Sequence, residues 1–277
     1  MKNKIVQKAN IEYHTKLADI YDKSQSHFKT ENQKQVRKLI KIYSRRTGGK
    51  RLLDLGCGTG FILSLAQPYF KELYGVDITP AMLDLAKSKF KSAKKIKLIK
   101  ASSEHLPFEN SFFDVITGYS FLHHLPSLVP ALKEAFRVLK RGGIFYSDLD
   151  PNYYFWRSIK SVAKEKNVSD LLKTDIYSIC HMVRDVREAA ANLTPSVIRD
   201  AEYIESHKGG FKEGFLKKSF IQAGFKKINL EYHWFWQEGR IIKDLSLDDA
   251  LYFEKHLRLA LPVTRNLFKY IKIEAIK

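Results

Sequence analysis

The sequence predicts an α/β protein with one doubly wound sheet of seven strands, mostly parallel with the last strand antiparallel, and a helical insertion above it. Three observations carry this. Short apolar runs alternate with amphipathic stretches through the first half of the chain, the pattern of parallel strands joined by crossover helices. The first apolar run stops at three glycines, Gly56, Gly58 and Gly60. Beyond residue 150 the alternation breaks, and residues 151–208 show helical patches but no strand.

The segment "QVRKLIKIY" places Val36, Leu39, Ile40 and Tyr43 on one helical face. "RLLDL" (residues 51–55) reads as a buried parallel strand, because such strands are near-continuous apolar runs. "FILSLAQPY" is the helix after the glycines, and "ELYGVD" the second strand. "TPAMLDLAKSKF" is a helix with Thr79 as N-cap and Pro80 at its first position. "IKLIK" and "FFDVITGY" are strands three and four. "SLVPALKEAFRVLKRGG" is a helix expected to end at Gly142 and Gly143, and "IFYSDLD" is the fifth strand. "HMVRDVREAAANL" is a helical patch of the insertion. "EGFLKKSFIQAGF" is a helix stopped at Gly224, "KKINLEYHWFW" a strand, residues 246–260 a helix and "LFKYIKIEAIK" the last strand. The organisation is therefore a core over residues 1–150, the insertion over 151–208, and a C-terminal part, 209–277, that completes the same sheet.

A chain of 277 residues can bury a substantial core, and its 44% hydrophobic and 28% charged residues are ordinary for a globular protein. The formal net charge of +18 could attract nucleic acid, anionic lipid or an acidic substrate. The lysines are scattered, however. The densest run, Lys87 to Lys100, follows a helix whose macrodipole cations offset, so a solvated basic surface is favoured over a nucleic-acid site. No apolar run is long enough to span a bilayer, and the basic N-terminus lacks the apolar stretch of a secretory signal. Cys57 and Cys180 need no disulfide framework, so a cytoplasmic location is expected. No Cys/His/carboxylate spacing points to a metal rather than to surface, and no oligomeric state follows from the sequence.

The glycines explain themselves as a turn. A strand that feeds a helix must bend sharply, glycine tolerates positive φ, and the free N–H groups of the turn then face a crevice. Gly56, Gly58 and Gly60 give G-x-G-x-G, with Phe61 where a dinucleotide fingerprint needs its third glycine, and the Lys-Ser/Thr end of a Walker loop is absent. Asp77 ends the second strand at the spacing where a carboxylate accepts hydrogen bonds from a ribose diol. An adenosine with free hydroxyls is the expected ligand.

"LLDLGCGTG", "GVDITPAMLDLAK" and "ASSEHLPFENSFFDVITGYSFLHHLPSLVPALKEAFRVLKRGGIFY", in that order, resemble the successive motifs of class I S-adenosylmethionine-dependent methyltransferases. The resemblance is greatest to the branch with quinone-biosynthesis and small-molecule enzymes, covers residues 10–150 closely, and implies a Rossmann-like fold and S-adenosylmethionine as cofactor. It further implies that Asp54, Cys57 and the backbone of Gly56, Gly58 and Gly60 form the methionine side of the site. Asp77 would bind the ribose, with Ile78 and Met82 along the adenine. Ser102, Ser103 and Glu104 stand where the family commonly has Asp-Ala-Glu, so the side-chain contact to the adenine amino group is changed here. Gly118 and Tyr119 would approach the cofactor by backbone, and Tyr13 and Tyr21 on the leading helix would close over it.

The acceptor is less legible. Tyr153, Tyr154 and Trp156 follow the fifth strand, and Tyr232, Trp234 and Trp236 share one face of the sixth by period two. These aromatics fit the wall of an apolar acceptor site and fit plain core equally well. His124, beside His123, and His207 are the candidate proton acceptors, each with a structural role as the alternative. The expected activity is in-line methyl transfer to a small, apolar or aromatic acceptor under a lid formed by residues 151–208. The alternatives are an RNA or protein methyltransferase that uses the basic surface, and a cofactor-binding protein without transfer activity.

Overall fold

The computed structural model describes residues 2–165, 169–177 and 192–277. Cys180 and most of the "HMVRDVREAAANL" patch lie outside these residues. The seven strands are β1 (Arg51–Leu55), β2 (Glu72–Asp77), β3 (Ile96–Lys100), β4 (Phe113–Tyr119), β5 (Leu139–Pro151), β6 (Lys227–Phe235) and β7 (Phe268–Ile276). They form one sheet in the order β3-β2-β1-β4-β5-β7-β6. The pairs from β3 to β5 are parallel, and β7 runs antiparallel to both neighbours. This is the doubly wound, Rossmann-like architecture that the sequence predicts.

Period-two alternation divides the core between two faces. Leu53, Leu55, Tyr74, Val76, Ile116 and Phe145 pack on one side against helices Leu128–Val138 and Glu213–Ala223. Leu52, Leu73, Val115, Ile144 and Tyr146 pack on the other against Val36, Ile40 and Tyr43 of helix Thr30–Thr47 and Leu63 and Leu83 of the next two helices. The chain leaves β1 toward β2 on one side and β4 toward β5 on the other, so the order reverses beside β1. An open α/β sheet binds ligands at such a switch point.

Two local expectations change, and one feature is new. The helix before β5 ends at Val138, not at Gly142 and Gly143. Its last carbonyls, Arg137 and Val138, accept the N–H groups of Ser111 and Phe112, which frees Leu139 to pair with Phe113 and start β5 early. The period-two face proposed for Tyr232, Trp234 and Trp236 does not exist. Trp234 has φ +56°, a left-handed geometry that breaks the alternation. Tyr232, Trp234 and Trp236 consequently enter three separate apolar clusters. Finally, Leu149 has φ +57° where the β5–β7 register shifts. The bulge parts two buried carboxylates: Asp148 faces Tyr146 and His233, and Asp150 faces Ser147 and His123.

The insertion is helical in its described residues, at Tyr153–Val162, Asp170–Tyr177, Pro195–Ala201 and Tyr203–Lys208. Leu193, Ile198 and Ala201 pack on Ala9, Tyr13 and Leu17 of the first helix, α1 (Lys2–Leu17). No described helix is long and apolar enough to cross a membrane.

Candidate functional site

A cleft of about 770 Å³, mouth included, opens at the carboxyl ends of β1, β2 and β4. Its floor is the turn after β1, where Gly56, Gly58 and Gly60 all have positive φ. The glycines serve different ends. A Cβ on Gly60 would stand 2.3 Å from the Phe90 ring, and one on Gly56 2.3 Å from the Phe121 ring. A Cβ on Gly58 would meet nothing within 4 Å, so here the bare backbone faces the open cleft. The Gly58 N–H donates to Asp77 Oδ2 at 2.9 Å, and the Thr79 N–H donates to Asp77 Oδ1 at 2.8 Å. Two amides thus fix the carboxylate at the end of β2, while each oxygen keeps a lone pair for a ligand hydroxyl. Thr79 occupies the N-cap position of helix Pro80–Lys89, but its side chain caps nothing.

Gly56, Gly58, Asp77, Ile78, Ser102, Ser103 and Glu104 line the cleft, as do Tyr21, Tyr119 and His124. Ser102 Oγ accepts the Glu104 N–H at 3.2 Å, and Glu104 Oε2 accepts Asn3 Nδ2 at 2.6 Å. Tyr119 is buried and shares its hydroxyl with Asn32.

Other sequence candidates stand behind this lining. Asp54 accepts Thr117 Oγ1 at 2.7 Å between β1 and β4. Burial pushes its pKa up to about 7, and the Asp77 charge adds to the rise. Cys57 is buried, and burial, then Asp77 and Asp54, push its thiol well up, so it packs rather than reacts. Gly60 holds the helix start, Met82 is fully buried on its helix, and Gly118 lies inside β4. Tyr13 is buried and donates to Glu202 Oε1 at 3.0 Å. The aromatic candidates also lie off the cleft. Tyr154 lies under the Arg265 guanidinium at 3.7 Å, and Lys212 lies over Tyr153 at 4.5 Å. Trp156 and Trp236 each pack on the cluster of Phe155, Ile159 and Ile176. Trp234 packs edge-on to Tyr270. His207 Nε2 faces Asp200 Oδ1 at 3.1 Å and its ring stacks on Tyr203.

One wall was missed from sequence. Asn3, Val6, Gln7, Asn10 and His14 line the cleft from α1. Their 3–4 residue spacing is one helical face, and the signal was a stripe of Asn, Gln and His on a helix otherwise rich in lysine. A second helix, Tyr21–Ser24, reaches the glycine turn, where Thr59 Oγ1 donates to Asp22. Around His124, the rest of the turn after β4 was also missed. Ser120, Phe121, Leu125 and Pro126 line the cleft, and Ser120 takes φ +52° with its N–H on the Asp148 carbonyl.

The histidines gather at this end. His14 and His124 meet edge to face with ring centroids 5.0 Å apart, and His14 lies 6.0 Å from the Tyr21 ring. His124 Nδ1 donates to the Ala201 carbonyl at 2.9 Å, which orients the ring from the insertion. Burial, then the neighbouring His123, push its pKa down to about 3. His124 is therefore neutral at physiological pH and offers a lone pair, not a strong base.

Residues 53–147 match the family model described as a methyltransferase domain. Demethylmenaquinone methyltransferase of Staphylococcus aureus is 35% identical over 127 residues, which are 45% of this chain and 53% of that protein. The protein of the same name from Staphylococcus saprophyticus is 35% identical over 127 residues, 45% of this chain and 54% of that one. The chain thus spans about half the length of the curated relatives it matches. An S-adenosylmethionine dependent methyltransferase from Mesorhizobium loti has a TM-score of 0.54 at 15% identity, covering 87% of this chain and 96% of that chain. YcgJ from Bacillus subtilis has a TM-score of 0.51 at 19% identity, covering 88% and 98%. At these identities the likeness is one of fold.

Proposed function

We propose that this chain, which carries a class I S-adenosylmethionine-dependent methyltransferase domain, transfers a methyl group from S-adenosylmethionine to a small, apolar or aromatic acceptor. The observation that carries the reading is Asp77, a carboxylate held by the Gly58 and Thr79 amides at the rim of a side-chain-free floor. Residues of this chain suit the nucleoside. Asp77 would accept both ribose hydroxyls, Ile78 would lie along the base, and Gly58 leaves the room that a Cβ would fill.

When bound, the cofactor supplies a methyl group already activated on a sulfonium. The chain then has to hold the acceptor in line and keep water out. The α1 face and the Tyr21 segment form the outer wall. Phe121, Tyr21, His14 and His124 present planar rings, and Val6, Leu125 and Pro126 add apolar surface, which suits an aromatic acceptor. The demethylmenaquinone methyltransferase relatives point to the same chemistry. Neutral His124, held by the Ala201 carbonyl, would present its ring to the acceptor. Residues 195–208, held on α1 and on His124 through Ala201, would act as the inner part of a lid that sets acceptor choice.

Calorimetry with S-adenosylhomocysteine tests the reading. The wild type binds one equivalent. Asp77→Ala loses about 100-fold in affinity, since two charge-assisted hydrogen bonds are worth about 3 kcal/mol together. Equal binding by the variant, or no binding by the wild type, would refute it.

A further inference from the structure

We propose a metal site that joins the insertion to the core, formed by His123, His124 and Glu202 and selective for a borderline divalent transition ion such as Zn²⁺. One ring nitrogen of each histidine and one Glu202 oxygen lie within 4.8 Å of one another. His123 Nε2 is already 3.5 Å from Glu202 Oε2. Tetrahedral bonds of about 2.1 Å would bring the three donors to about 3.4 Å apart, so the largest closure is about 1.4 Å, the scale of a small side-chain rotation.

The surroundings support ligation more than the donor set alone does. Metal-bound histidines are held by a hydrogen bond from their second nitrogen, and metal-bound carboxylates are hydrogen-bonded in turn. Each of the three has such a partner. His123 Nδ1 meets Asp150 Oδ1 at 3.1 Å, and Asp150 is itself fixed by Ser147 Oγ and the His123 N–H. His124 Nδ1 donates to the Ala201 carbonyl at 2.9 Å. Tyr13 donates to Glu202 Oε1 at 3.0 Å, which leaves Oε2 toward His123. Both rings are thereby oriented with Nε2 as the ligand nitrogen.

Asp150 is fully buried and Glu202 mostly so, on either side of His123. Buried charge is costly unless compensated, and a divalent ion placed here would compensate carboxylates on both sides. Two imidazoles and a carboxylate suit Zn²⁺ or Fe²⁺ rather than Mg²⁺ or Ca²⁺, which prefer oxygen. The ligands also come from two places. The histidines sit on the 3₁₀ turn Leu122–His124 after β4, and Glu202 sits between the insertion helices Pro195–Ala201 and Tyr203–Lys208. The ion would pin the insertion onto the wall of the cleft, which His124 lines. The site stands whether or not the Asp77 end takes the expected cofactor.

Protein stripped with chelator is titrated with Co²⁺, read by its visible absorption, then with Zn²⁺ in competition, with Mg²⁺ as control. S-adenosylhomocysteine binding and the unfolding temperature are read on the same samples. The wild type should take one Co²⁺ with tetrahedral or five-coordinate absorption, exchange it for Zn²⁺, ignore Mg²⁺, and melt at a higher temperature when loaded. Glu202→Gln and His124→Asn should lose at least 100-fold in Zn²⁺ affinity. Tyr13→Phe, which keeps the ring in its pocket, should lose about 10-fold as a second-sphere change. No stoichiometric Co²⁺ or Zn²⁺ in the wild type, preference for Mg²⁺, or unchanged affinity in Glu202→Gln and Tyr13→Phe would overturn the site.

Discussion

The two ends of the cleft are built from different material. The Asp77 end is backbone: a glycine turn, two amides and one carboxylate, all within the contiguous span from β1 to Thr79 just after β2. The histidine end is side chain: His14 from α1, His124 from the turn after β4, and Ala201 and Glu202 from the insertion. Backbone geometry depends on few positions and tolerates little change at them. A side-chain site assembled from distant segments depends on tertiary packing, and can be altered without disturbing the sheet.

The sharpest break of this contrast is within the glycine turn itself. Gly60→Val puts a β-branched residue at φ +88° and a Cβ 2.3 Å from the Phe90 ring. Backbone strain and overpacking together should cost about 4–5 kcal/mol, read as the midpoint of denaturant unfolding. Gly58→Ala meets open space and should cost about 1 kcal/mol, yet lose S-adenosylhomocysteine affinity by at least 10-fold, because the new methyl projects into the cleft. If both variants were equally unstable, the division of labour among the glycines would be wrong.

Asp54 gives the next effect. Its folded pKa of about 7 lies above the unfolded value of about 3.9. The protonated acid is therefore the favoured buried form. Its contribution to stability is complete below about pH 4 and is lost as pH rises through about 7. Asp54→Asn keeps an acceptor for Thr117 but cannot ionise. Between pH 5 and pH 8 the wild type should lose about 2 kcal/mol more stability than the variant. Glu238, also raised to about 7, titrates in both proteins and cancels in the difference. Because the amide nitrogen needs a partner of its own, the slope against pH, not the absolute stability, is the readout. Parallel slopes would place the Asp54 carboxyl in a more hydrated setting than its burial indicates.

What was legible in the sequence follows the same division. All seven strands and the antiparallel end could be placed, since a buried strand writes its period into adjacent residues. Asp77 and the glycines were legible because φ, spacing and strand ends are local properties. Legibility stopped where a local rule was overridden. Trp234 at φ +56° scattered three aromatics that alternation would have aligned, and the loop amides of Ser111 and Phe112 ended a helix before its glycines. The α1 face carried only a stripe of Asn, Gln and His, which marks a polar face but not what the helix docks against. Glu202 is the extreme case: it is 78 residues from His124 and no motif links them.

The smallest expected effect bears on the aromatics. From sequence Tyr154 fits a wall of the acceptor site or plain core; in the fold it lies under Arg265 and away from the cleft lining. A cation–π contact at a partly exposed site is worth about 0.5–1 kcal/mol, and Tyr154 also packs edge-on to Tyr153, so Tyr154→Ala should lower stability by about 1–2 kcal/mol. S-adenosylhomocysteine affinity should stay within about twofold, since RT ln 2 is only about 0.4 kcal/mol and no cleft contact is removed. The informative quantity is kcat/KM for methyl transfer once an acceptor is in hand. A change within about threefold keeps the acceptor at the histidine end. A tenfold fall with the cofactor affinity intact would move it toward the insertion's outer face, and the histidine end would then serve to hold the insertion rather than the substrate.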